Sequence, residues 1–211
     1  MSSMKKGELY IISAPSGAGK SSLIHEILKR GAVSGSSIEL SVSATTRPPR
    51  PNDVEGQDYF FISKDKFHEL EKDEAFLESA TVHGNKYGTL KDYIESKLNA
   101  GVNLILDIDV QGFEQIRKKD ILNTSIFIIP PSIQELKSRL LKRNEDTSEV
   151  IEARLKNAIA ELGGASHYDH KILNDNFDLA ADELYNLIVS RGVQNTEAKH
   201  ISEILEDLLS N

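Results

Sequence analysis

The chain has 211 residues, no cysteine and a net charge of −8. That length supports one well-buried core with a small subdomain rather than two full domains, and 39% hydrophobic with 27% charged residues describes a soluble globular chain, not a disordered one. The acidic balance excludes a global basic face for a nucleic-acid polymer, and the missing cysteines exclude disulfides and thiolate metal sites and suit a reducing cytoplasm.

The opening stretch, MSSMKKGELYIIS, holds an apolar run too short for a signal peptide or a membrane span, so no membrane association is expected. Its end, ELYIIS (8–13), is the first of four short apolar runs rich in β-branched residues. The others are VNLILDID (102–109), SIFIIPP (125–131) and HKILND (170–175). Their lack of alternation suits strands of a parallel sheet covered on both faces.

Between the first run and an amphipathic helix lies SAPSGAGKSS (13–22). It fits the phosphate-binding pattern G-x-x-x-x-G-K-[ST] at Gly19, Lys20 and Ser21, with Ala14 in place of the opening glycine. Gly17 and Gly19 can take backbone angles closed to other residues, which turns successive N–H groups inward around phosphate oxygens. Lys20 adds a point charge and the helix N-terminus a partial one. Ser21 offers a hydroxyl to Mg²⁺. Ala14 keeps its position small, so the loop is expected to hold a nucleoside triphosphate along Ala14, Pro15, Ser16, Gly17, Ala18, Gly19, Lys20 and Ser21. Leu23, Ile24, Ile27 and Leu28 share one face of the helix that follows.

From about 37 to 90 the α/β rhythm breaks into short β-rich pieces and prolines, which reads as a small mixed subdomain inserted into the core. It contains TTRPPRP (45–51), where Arg47 and Arg50 stand three apart among prolines. That stretch is either a solvated turn or a stiffened phosphate grip. Tyr59, Glu78 and Tyr87 follow downstream. A second anion site in an inserted subdomain points to a second nucleotide as phosphate acceptor. Switch regions, a water-positioning residue and a GTPase base-reading motif are not evident, which argues against a motor or switch.

After Pro130-Pro131, Ser132 and Glu135 form a capping-box pair that starts another helix. A charged helical stretch, about 139 to 165, reads as a mobile cover over the core. Near the end, Ile201, Ile204, Leu205, Leu208 and Leu209 make one apolar stripe expected to pack on the core or on a neighbouring subunit, which leaves a homo-oligomer open.

Over about residues 7–187 the chain resembles the bacterial guanylate kinases, through ISAPSGAGKSSL, SVSATTRPPR, DYFF, GNKYGT, LDIDVQG, PPS and ND in that order. The resemblance implies a P-loop α/β fold with a parallel sheet and flanking helices, a GMP-binding insertion (37–90), a helical lid (139–165) and a C-terminal helical tail (188–211). It also implies that ATP with Mg²⁺ phosphorylates GMP, and dGMP as a second acceptor. By the family pattern Arg47, Arg50, Tyr59 and Tyr87 hold the GMP phosphate, while Ser43, Glu78, Thr89 and Asp109 read the guanine. A carboxylate suits that base, because guanine presents N1–H and N2–H₂ donors. Taken singly, Glu78 also reads as a solvated charge and Thr89 as the cap of the helix after it.

Asp107 ends an apolar strand as a Walker B carboxylate does and would hold Mg²⁺ with Ser21. Arg139, Arg143 and Arg154 match lid arginines that close over the transferring phosphate; the alternative for Arg139 is a helical pair with Glu135. Asn144 stands where many relatives carry glycine, and Asn174 matches a position near the adenine. A non-catalytic, guanylate kinase-like binding module and a kinase for another nucleoside monophosphate are the rival readings.

Overall fold

The computed structural model describes residues 5–82, 84–119, 121–142, 148–190 and 198–210. Its centre is a parallel sheet in the order β2-β7-β1-β8-β9, with β1 Leu9–Ser13, β2 Ile38–Leu40, β7 Asn103–Asp107, β8 Thr124–Ile129 and β9 His170–Leu173. In β1, Tyr10 and Ile12 face one layer of core and Leu9 and Ile11 the other. Side chains alternate across a strand, so a strand covered on both faces is apolar throughout, which is why these runs showed no period of two.

One layer is formed by α1 (Lys20–Ser34) and α7 (Phe177–Ser190), through Leu23, Ile24, Ile27, Leu184 and Ile188. The other is formed by α3 (Lys91–Asn99), α4 (Val110–Arg117), the end of α6 (Ser148–Leu162) and α8 (Ala198–Ser210). Ile201 and Leu208 of α8 are buried there, with Ile204 and Leu205 packed beside them. Leu209, expected in the same stripe, is half exposed: the stripe is narrower by that residue. The helix packs on its own chain, against α6 and β9.

A second sheet, β4-β3-β6-β5, combines β3 (Ser43–Thr45), β4 (Tyr59–Phe61), β5 (Phe76–Val82) and β6 (Asn85–Leu90). It closes a small core of Ala44, Phe67 and Phe76 under α2 (Lys64–Lys72). Two boundaries shift from those expected. Ile38–Leu40 pairs with β7 in the large sheet, so the second sheet starts after it. At the other end α7 continues past 187 to Ser190, because Leu187 and Ile188 belong to the core.

Candidate functional site

The phosphate loop follows β1, central in the large sheet, and empties at the C-terminal ends of the strands, where open α/β sheets bind ligands. Gly17 and Gly19 have φ of 92° and 94°. A Cβ on Gly19 would lie 2.4 Å from Asn174 Nδ2, so both conformation and space require glycine there. Gly19 is also the N-cap of α1, and no side chain caps that helix end. Its N–H groups are thus left for an anion. Lys20 Nζ lies 2.6 Å from Asp107 Oδ1 and donates to the Ile108 carbonyl at 3.1 Å. Ser21 is exposed at the mouth of the loop cavity, about 270 Å³.

Asn174 is buried and donates from Nδ2 to the Ala18 carbonyl at 2.7 Å. Arg139 donates to the same carbonyl and to that of Asn174, at 3.4 and 3.2 Å, while its Nε pairs with Glu135 at 2.9 Å. Arg139 thus pairs along its own helix, α5 (Ile133–Lys142), as the helical alternative expected, and also donates to a loop carbonyl. The Ser132 hydroxyl accepts the Glu135 N–H at 3.0 Å, as a capping residue does. Arg154 lies on α6, half-buried. Arg143 and Asn144 lie outside the described residues.

Across the cleft, Glu78 is only 7% exposed. Its inward aim has a local cause. The β5–β6 register shifts between Phe76 and Ser79, an irregularity that turns a strand and redirects a side chain. Gly88 opposite permits it, since a Cβ there would lie 2.8 Å from the Phe76 ring. The Thr89 hydroxyl, fully buried, donates to Glu78 Oε1 at 2.7 Å. Thr89 therefore serves the carboxylate, and Leu90 occupies the cap of α3. Burial pushes the Glu78 carboxyl above the usual carboxylate range; the Thr89 hydroxyl opposes this and the Asp109 charge adds to it. Asp109 caps α4 by accepting the Gly112 N–H at 2.8 Å. Ser43, Tyr59, Thr89 and Asp107 line one cleft of about 140 Å³.

Arg47 Nη2 pairs with Asp53 at 2.8 Å, and its guanidinium carbon lies 5.3 Å from the Tyr59 ring centre. Tyr59 and Tyr87 meet edge to face at 5.8 Å. Arg50 is exposed, and its backbone N–H donates to Asp53 at 2.6 Å. The structure thus gathers Arg47, Tyr59 and Tyr87, and Asp53 joins Arg50 to them. Asp53 carries no site signal in the sequence, for its place in RPNDVEG marks only a turn. Glu161, which lines the phosphate-loop cavity, also went unread; its one signal is a position two helical turns after Arg154.

The family model described as Guanylate kinase matches residues 6–191. The chain is 44% identical to the guanylate kinase of Coxiella burnetii over 207 residues, covering 98% of each chain. It is 46% identical over 209 residues to that of Escherichia coli strain K12, covering 97% of this chain and 100% of the relative. Among solved structures, the guanylate kinase of Anaplasma phagocytophilum superposes with a TM-score of 0.64 at 30% identity, covering 96% of this chain and 95% of that one.

Proposed function

The chain belongs to the guanylate kinase family and is an ATP:GMP phosphotransferase, and we propose that its chemistry is divided between the two sides of the cleft. In this reading the phosphate loop, Ala14 to Ser21 with Lys20, holds the ATP phosphates, and Asn174 supports the loop where the adenosine lies. Arg47, Arg50, Tyr59 and Tyr87 hold the GMP phosphate. Glu78, Ser43, Thr89 and Asp109 read its base. None of these groups needs the ribose 2′-hydroxyl, so dGMP is included as an acceptor. Residues 37–90 form the acceptor-binding unit, 139–165 the lid and 188–211 the tail, with the boundary shifts noted above. A cytoplasmic setting and an open choice of monomer or homo-oligomer complete the reading; no described helix is long and apolar enough to cross a membrane.

The observation that carries it is the buried Glu78 carboxylate, held by Thr89, in the sheet whose Ser43, Tyr59 and Thr89 share a cleft with Asp107. An acceptor-only group there matches the two donors of guanine and repels the N1 acceptor of adenine.

The acceptor is already an anionic phosphate oxygen, so no general base is required. Catalysis reduces to alignment and charge neutralisation. Lys20 supplies a fixed positive charge beside the loop, and Arg139 and Arg154 stand on the lid helices with Arg143 assigned by sequence alone. Closure of those helices would exclude water as a competing acceptor. For Mg²⁺, the exposed Ser21 hydroxyl and the Asp107 carboxylate fit: both are oxygen donors on the loop side of the cleft. Among the described residues no group of three His, Asp or Glu side chains could hold a metal alone, so the phosphates would complete its shell. The ion would neutralise charge on the transferring phosphoryl group.

The test is a coupled assay of ADP formation with GMP, AMP, UMP and dTMP as acceptors. GMP should drive it and the other three give little. Equal turnover of AMP would overturn the guanine assignment.

A further inference from the structure

α6 brings to the phosphate-loop cavity a carboxylate with no part in phosphoryl transfer or metal binding. Glu161 lines the 270 Å³ cavity together with Ala14, Pro15, Ser16, Gly17, Gly19, Lys20, Ser21 and Ser22. It is half-buried, on the wall of the same cavity that the loop backbone forms. Its position is anchored. Leu162, the next residue, is 1% exposed, and Ala158, one turn earlier, is fully buried, so this end of α6 cannot drift over the surface. Burial pushes the Glu161 carboxyl up, the Asp109 charge adds to this, and the Lys20 ammonium opposes it.

The loop is built for an anion, and two protein anions already stand at it. Asp107 holds the Lys20 ammonium at 2.6 Å, and the Glu161 carboxylate lines the cavity the loop backbone encloses. Asp107 has a role in metal binding. Glu161 has none, and a negative charge inside a phosphate cradle opposes the ligand.

We propose that Glu161 is an internal anion that occupies the phosphate-loop cavity between turnovers and yields that space to a phosphate of the incoming nucleotide. Its charge holds triphosphate affinity below what the loop alone would give, which favours product release. Its displacement also links occupancy of the loop to the lid helix, since Arg154 lies seven residues earlier on α6, about 10 Å along the axis and on the same face. Glu161 is a positioning residue, not a participant in phosphoryl transfer.

This inference rests on the loop as the ATP site. The test compares the full-length wild type with Glu161→Gln, which keeps an acceptor oxygen but no charge, and Glu161→Ala, which keeps neither. Binding of inorganic triphosphate is measured by calorimetry without GMP, at low and high salt. Both variants should bind about tenfold tighter at low salt, with the gap narrowing at high salt. KM for ATP should fall while KM for GMP stays constant. Equal or weaker triphosphate binding by the variants, at an unchanged Tm, would overturn this inference alone. A wild type that bound no triphosphate would overturn the loop assignment as well.

Discussion

The Lys20 ammonium and the Asp107 carboxylate meet at 2.6 Å across the mouth of the phosphate loop, joining the start of α1 to the end of β7. Lys20 is thereby held stretched toward the strand ends by Asp107 and the Ile108 carbonyl, aimed before any nucleotide arrives. The side chains remain 17% and 32% exposed, so water screens the pair and its share in stability is small.

From this follows the outcome of Lys20→Ala. Turnover should fall about 10²–10³-fold, the usual cost of removing a positioned group that stabilises transition-state charge. The Tm should hardly change. Steady-state kinetics and thermal melting check this together; near-normal kcat at an unchanged Tm would mean the loop lysine is not catalytic.

Asp53 should matter for the acceptor alone. It accepts from the Arg50 backbone N–H and from the Arg47 guanidinium, which hold its carboxyl below the usual carboxylate range. Arg47 is thus held in one orientation, the one proposed to receive the GMP phosphate. Asp53→Ala should raise KM for GMP about tenfold, the cost of about one charged hydrogen bond's worth of preorganisation. KM for ATP should stay constant, and an equal rise in both would refute a local role.

Removing α8 should cost stability rather than chemistry. Ile201 and Leu208 are buried against the layer that contains Leu162, Ala165 and Tyr168. Burying one such side chain is worth about 1.5–3 kcal/mol, so truncation at about 195 should destabilise the protein by at least ~3 kcal/mol. Denaturant melts and kcat below the new Tm test it. Wild-type stability after truncation would show that the helix is not packed as described.

The large sheet and the phosphate loop were legible in the sequence because each is written locally. A doubly covered strand must be apolar throughout, and the loop needs its glycines and lysine at fixed spacing. Ile38–Leu40 was not legible as a core strand: it is three residues at a sheet edge, and Leu40 is 39% exposed, so it carries little apolar signal. Partnerships set by distant pairing were also hidden. The aim of Glu78 depends on a register shift against Gly88, and the loop cavity brings Glu161 to residues far away in the chain. Arg47 and Arg50 were read as one grip, and the turn through Asp53 relates them. The roles of Ser43, Tyr59, Tyr87, Thr89 and Asp109 toward GMP came from family pattern, since each is an ordinary residue alone.

The sharpest outcome concerns Glu78, where stability and function should part. Its carboxyl titrates above the usual carboxylate range because burial disfavours the charge. A carboxyl with a raised native pKa contributes stability that is full below its unfolded pKa and is lost as pH rises through the native one. As pH rises through that native pKa, ionising Glu78 becomes a liability to the fold, and Glu78→Gln should gain Tm relative to wild type. As pH falls below the ordinary carboxylate range the two proteins should converge in Tm. Gln keeps an oxygen for the Thr89 hydroxyl, so the local hydrogen bond survives the change. Guanine recognition should not. With the acceptor-only group gone, a carboxamide presents donors that clash with N1–H or N2–H₂, and the two lost bonds to a charged acceptor, about 1.5–3 kcal/mol each, weaken use of GMP at least about 10²-fold. ATP affinity should hardly move. Discrimination should narrow as well, because specificity built on buried hydrogen bonds falls when the protein's polar group is changed. The decisive ratio is kcat/KM for GMP over that for IMP, which keeps N1–H and lacks the 2-amino group. Wild type should prefer GMP clearly and Glu78→Gln much less. An unchanged ratio would move base reading to Ser43 or Asp109 and leave Glu78 with no part in it.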